Sequence, residues 1–87
     1  MSSAGFASQV FDKWDYSNSE EGCYRWKRGD VTAEMTSWSD GWSVWIREDD
    51  SDLVFDKGFD KQDGFRFLRN QLRAVNLVKF GDESSSA

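Results

Sequence analysis

Apolar and polar residues alternate along most of residues 23–56, and this period of two predicts antiparallel strands with one buried face. The alternating runs are residues 24–28, 31–38, 42–47 and 53–55. Turn sequences separate the runs: Gly29-Asp30, Asp40-Gly41 and the charged stretch 48–52. Glycine adopts the positive φ of tight hairpins at little cost, so the pattern predicts a meander of three or four strands.

After Gly58 the spacing of apolar residues lengthens to that of a helix. Asp60 suits an N-cap and Gly81 suits a C-cap, so we predict a helix over residues 61–79. Its apolar stripe consists of Phe65, Leu68, Leu72 and Val75.

The N-terminal part gives a weaker helical pattern. A spacing of four predicts a short helix over about residues 5–15, and residues 17–22 have the composition of a loop. We expect residues 1–5 to be disordered, residues 6–80 to form one domain and residues 81–87 to form a polar tail. The apolar residues of the predicted N-terminal helix are Phe6, Val10 and Trp14.

The predicted fold class is α+β: an antiparallel sheet of three to four strands packed on the C-terminal helix, with a short N-terminal helix. Strand alternation divides the sheet residues between two faces. The predicted inner face carries Tyr24, Trp26, Ala33, Met35, Trp42, Val44, Ile46, Leu53 and Phe55. The predicted outer face carries Arg25, Lys27, Thr32, Glu34, Thr36, Trp38, Ser43, Trp45, Arg47 and Val54.

Composition narrows the classes of function. The 87 residues include five Trp, seven Phe and two Tyr, which can fill a small core, and the formal net charge is −5. A negative field opposes binding to nucleic acid and to anionic membranes. The lone Cys23 excludes an internal disulfide, and no apolar run is long enough for a membrane span. We therefore expect a cytoplasmic protein that does not bind membranes.

Residues that carry catalysis are scarce. The chain has no His, so it lacks the commonest general base and the usual imidazole ligand of zinc. One Cys cannot build a thiolate metal site, and the scattered Gly residues form no phosphate-binding loop. The Asp-rich stretch 49–63 does not have the spacing of an EF-hand. We expect no catalytic residues, no metal site and no cofactor.

Two surfaces are candidate binding sites. On the outer face, Trp38 and Trp45 stand among Arg25, Lys27 and Arg47, and aromatic and Arg side chains are enriched at interaction hot spots. This face would bind a protein, form the floor beneath the N-terminal segment, or stack single-stranded nucleic acid. On the helix, a basic stripe suited to phosphates is formed by Arg66, Arg69 and Arg73.

The run 24–31, the Asp40-Gly41-Trp42 turn and the closing helix resemble, over residues 23–80, short proteins of archaea, viruses and phages. This resemblance implies no particular activity. Our leading hypothesis is a non-enzymatic protein-interaction module, for example a phage- or virus-type inhibitor of a host protein. The alternative is a nucleic-acid-binding domain that uses the outer Trp/Arg face or the Arg helix. The sequence leaves a homo-oligomer open.

Overall fold

In the computed structural model, which describes residues 10–20 and 22–81, five antiparallel strands form one sheet and a long helix packs on it. The strands are hydrogen-bonded in chain order, which makes the sheet a meander. The elements are β1 (Asp15–Glu20), β2 (Cys23–Arg28), β3 (Val31–Trp38), β4 (Gly41–Glu48), β5 (Ser51–Phe59) and α1 (Lys61–Phe80). The predicted antiparallel sheet on a C-terminal helix is confirmed.

The strand number was predicted wrongly, and the predicted N-terminal helix is not found in its described part, residues 10–15. β1 occupies most of the stretch predicted as a loop, and it pairs with β2, where Tyr16 lies opposite Trp26. The Ser and Asn residues of β1 are typical of loops, so the sequence does not identify this edge strand. Its strand conformation depends on pairing more than on local preference. Residues 10–13 form a turn in place of a helix, and residues 5–9 of the predicted helix lie outside the described residues.

The core lies between α1 and the inner face of the sheet. Its largest fully buried side chains include Met35, Ile46, Leu68 and Leu72. The helix comes close to β3 at Gly64, where an added Cβ would lie 2.8 Å from the Met35 Cε atom. A side chain at this position would therefore displace the flexible end of the Met35 side chain.

Both predicted helix caps are present. The Asp60 side chain accepts a hydrogen bond of 2.8 Å from the Asp63 backbone N–H, which satisfies one of the free donors of the first turn. Gly81 adopts a φ of 71°, and its N–H bonds back to the last turn of the helix. These caps set the ends of α1 at Lys61 and Phe80.

The pairing of β5 shows that its residues were assigned to the wrong faces of the sheet. Ile46 pairs with Val54, whereas Arg47 pairs with Asp52, so Leu53 is an extra residue at a register shift. Such a bulge exchanges the faces of the residues on one side of it. Val54 consequently packs against the core, and Phe55 lies on the outer face.

A buried Asn76 on α1 ties the N-terminal segment to the helix. Its Oδ1 atom accepts a hydrogen bond of 2.8 Å from the Trp14 indole N–H, and its Nδ2 group donates to the Val10 carbonyl at 3.0 Å. Trp14 is only 5% exposed. The ring of Phe11 lies 5.2 Å from that of Trp26, so this segment extends the hydrophobic core.

This placement bears on the alternative in which the N-terminal segment covers the outer face. Val10, Phe11 and Trp14 pack against the core, so they do not cover the outer face of the sheet as one alternative supposed. Phe6, the other residue of that alternative, lies outside the described residues.

Candidate functional site

The outer face of the sheet brings the predicted binding residues together. In one cross-strand row, Arg25 lies opposite Glu34, Glu34 opposite Trp45, and Trp45 opposite Phe55. The next row contains Lys27, Thr32, Arg47 and Asp52. Trp38 lies at the end of β3, where it pairs with the first residue of β4. All five predicted residues therefore share one face, together with an aromatic residue from β5.

Hydrogen bonds fix both indole rings on this face. The Trp38 Nε1–H donates to Ser43 Oγ at 2.9 Å, and the Trp45 Nε1–H donates to Asp52 Oδ1 at 2.9 Å. Because each N–H has a partner on a neighbouring strand, the rings are held in place and present apolar surface to solvent. Trp38 remains 60% exposed despite this bond.

The space between these rings is a hollow of about 560 Å³, which we call the aromatic hollow. Its lining consists of Glu34, Thr36, Trp38, Ser43, Trp45, Asp52 and Phe55. A second depression of about 270 Å³ adjoins it and shares Trp38 and Phe55 with it. Trp38 and Phe55 thus line both depressions, which suits a partner with protruding side chains.

Negatively charged side chains line the aromatic hollow, whereas the nearby basic side chains lie outside its lining. Glu34 and Asp52 contribute carboxylates to the lining, whereas no Lys or Arg is among the described residues that line it. The Arg25 Nε atom pairs with Glu34 Oε2 at 2.8 Å, and the Arg47 guanidinium lies 4.5 Å from the centre of the Trp45 ring. Arg25 and Arg47 therefore contact residues that line the hollow without lining it themselves.

Sequence reasoning missed the contribution of β5. Phe55 is 59% exposed and lines both depressions, although alternation through residues 53–55 had placed it in the core. An available signal was the acidic turn before β5, since residues that follow a turn often restart the register at a bulge. That signal does not give the position of the bulge.

The second predicted surface lies on the opposite side of the molecule, because α1 packs on the inner face. Arg66 is largely exposed and its Nη1 atom lies 3.3 Å from Asp63 Oδ1 on the same helix. Arg69 is partly buried and Arg73 is exposed. The two candidate surfaces are therefore separate, and one ligand of small size would not contact both.

Clusters of possible metal ligands and the Cys23 thiol are the remaining groups of chemical interest. No group of three or more His, Cys, Asp or Glu side chains suited to a metal ion occurs among the residues that the structure describes. The Cys23 Sγ atom lies 3.9 Å from the Thr36 hydroxyl, an arrangement that supplies no strong base. Within residues 10–20 and 22–81, no helix has the length and apolar character needed to cross a membrane.

Comparison with known proteins gives no further guidance. No protein-family model matches the chain, and neither a curated protein nor a solved structure is significantly similar to it. The argument for function therefore rests on the surfaces themselves.

Proposed function

We propose that this protein is a non-enzymatic binding module and that a partner polypeptide docks on the outer face of the sheet at the aromatic hollow. The observation that carries the proposal is the exposure of Trp38 and Phe55, at 60% and 59%, on either side of a formed hollow. Exposed aromatic residues grouped around a depression are typical of interaction sites in soluble proteins.

The fold does not need these aromatic rings where they are. The core already contains Trp14 and Trp26, and the helix contributes Leu68 and Leu72 to it. Solvated strand faces are usually polar, and the other rows of the outer face follow that rule with Thr and charged residues. The aromatic rings on this face are therefore better explained by a binding partner than by folding.

A protein partner fits this face better than nucleic acid does. The carboxylates of Glu34 and Asp52 line the hollow in which a stacked base would lie, and they would repel the phosphates attached to it. The formal net charge of −5 adds to this repulsion. Two carboxylates within an aromatic lining instead suit a basic side chain of a partner, as a small inhibitor of a host nucleic-acid-binding protein would require.

The proposal can be tested with a displayed library of random peptides selected against the intact chain. The selected peptides are then measured against the variants Trp38→Ala and Phe55→Ala. Truncation of a hot-spot aromatic weakens binding by about 30-fold or more. We expect a loss of this size for both variants, with unfolding curves that change little because both side chains are exposed.

A matched control uses exposed apolar residues elsewhere. Leu77 and Val78 lie on α1 with 55% and 77% exposure, and their replacement by Ala removes a similar kind of surface. The selected peptides should bind the Leu77→Ala and Val78→Ala variants as tightly as the parent. The proposal is wrong if peptides that bind the parent also bind the Trp38→Ala and Phe55→Ala variants equally well.

A further inference from the structure

We infer that the aromatic hollow binds a cationic side chain, Lys or Arg, that projects from the partner polypeptide. This inference rests on the proposed function and specifies the chemistry of its ligand. It depends on three properties of the hollow: aromatic walls, two carboxylates, and the absence of a basic residue from the described lining.

The aromatic walls have the right chemistry for a cation. An ammonium or guanidinium group is attracted to the negative face of an aromatic ring, and cages of several rings are a recurrent means of cation recognition. The rings of Trp38, Trp45 and Phe55 line the hollow from three different strands. The N–H edges of both indoles are bonded to Ser43 and Asp52, so their rings are oriented before a ligand arrives.

The carboxylates select a positive occupant over a neutral one. The Glu34 side chain is only 14% exposed and already pairs with Arg25, so an apolar group in the hollow would remove water mainly from the exposed carboxylate of Asp52. A cationic group restores a favourable interaction with both carboxylates. An anionic group would meet repulsion from the same two residues.

The chain itself shows that its aromatic rings accept guanidinium groups. The Arg28 guanidinium lies 4.0 Å from the centre of the Phe80 ring, and that of Arg47 lies 4.5 Å from the Trp45 ring. Arg47 is not part of the lining of the hollow, so its contact is made outside the proposed binding space. A volume of about 560 Å³ accommodates the apolar stem of a Lys or Arg side chain together with its charged end.

The five Trp residues provide a direct assay with built-in controls. Their indole N–H signals are followed by nuclear magnetic resonance during titration with Ac-Ala-Arg-Ala-NH₂, Ac-Ala-Lys-Ala-NH₂ or neutral Ac-Ala-Gln-Ala-NH₂ at constant ionic strength. We expect the Arg and Lys peptides to shift the signals of Trp38 and Trp45 in a saturable manner. The indoles of Trp14, Trp26 and Trp42, which belong to the core side, should not shift.

A double variant tests the role of charge without removing hydrogen bonds. In Glu34→Gln/Asp52→Asn, the amide oxygens can still accept from Arg25 and Trp45, but both negative charges are lost. We expect the Kd for the Arg peptide to rise by about tenfold, as the loss of two nearby carboxylates predicts. The control Asp49→Asn/Asp56→Asn changes the net charge equally at two exposed positions outside the lining, so it should leave the Kd within about twofold.

The outcomes separate this inference from the proposed function. Equal shifts with the Gln peptide, or an unchanged Kd in the Glu34→Gln/Asp52→Asn variant, would overturn the cation assignment. If neutral peptides from the library bind, and their binding requires Trp38 and Phe55, the proposed binding module stands but the inference of a cationic ligand is wrong. Concentration-dependent dimerisation in analytical ultracentrifugation that is lost in Phe55→Ala would assign the hollow to a second copy of the chain, and would also overturn the inference.

Discussion

Replacing Asn76 by alanine tests the link between the N-terminal segment and the rest of the fold. The side chain of Asn76 is buried and bonds to Trp14, Val10 and Arg28. In the alanine variant, the Trp14 indole N–H and the Val10 carbonyl lose their partners. Trp14 is 5% exposed, so water can replace its lost hydrogen bond only after local opening of the structure.

The expected loss of stability follows from these contacts. A buried polar group left without a partner costs about 1–3 kcal/mol, and two such groups are created. The better helix propensity of alanine offsets about 0.7 kcal/mol of this loss. We therefore expect the free energy of unfolding to fall by about 2–5 kcal/mol. A domain of this size has about 4–13 kcal/mol in total, so this loss is a substantial share of its stability.

Urea denaturation followed by tryptophan fluorescence measures this change, and thermal unfolding provides a second reading. The melting temperature should fall by about 10 °C or more. Asn70→Ala is the matched control, because Asn70 is exposed on the same helix and the substitution is identical. If the two variants differ in unfolding free energy by less than about 1 kcal/mol, the hydrogen bonds of Asn76 do not hold the N-terminal segment in place.

Three further predictions test the core and the helix surface. Trp42→Ala should lower the unfolding free energy measured with urea by about 3 kcal/mol, because the Trp42 ring stacks on the Tyr24 ring with 5.8 Å between the ring centres. An unchanged denaturation midpoint would show that Trp42 faces solvent. Gly64→Ala should change the unfolding free energy by less than about 1 kcal/mol in the same assay, because the gain in helix propensity offsets the displacement of the flexible end of Met35. A loss of more than about 2 kcal/mol would show that Met35 cannot move aside. Duplex DNA should bind weakly or not at all at about 150 mM salt in fluorescence anisotropy, because the net charge is negative. Salt-sensitive, sub-micromolar binding would contradict this expectation and direct mutagenesis to Arg66, Arg69 and Arg73.

The parts of the fold that the sequence predicted correctly are those with local causes. The period of two in residues 31–47 places Met35 and Ile46 inside and Trp45 outside, as the structure has them. The N-cap and C-cap of α1 depend on Asp60 and Gly81, whose preferences act within one turn of the chain. Such features need no knowledge of distant contacts.

The errors have long-range causes. β1 has the composition of a loop and becomes a strand because β2 offers it a partner. The position of the bulge at Leu53 depends on pairing with β4, and the alternation of residues 53–55 does not indicate it. Asn76 and Trp14 are 62 residues apart in the sequence, so their hydrogen bond had no local signal. The aromatic hollow was accordingly predicted without Phe55 and Asp52, whereas Trp38 and Trp45 lie on the sheet face to which alternation assigned them.

The edge position of β5 bears on how a partner would use the aromatic hollow. An open edge strand with an exposed Phe55 can recruit another strand by backbone hydrogen bonds, which leads to aggregation unless it is prevented. Two register shifts interrupt the pairing of β5 with β4, and exposed charges at Asp52, Asp56 and Lys57 oppose the approach of a flat strand. The aromatic rings on the neighbouring face remain accessible despite these features. The structure therefore favours recognition in which side chains of the partner enter the hollow over recognition by strand addition, and this agrees with a ligand that is a projecting cationic side chain.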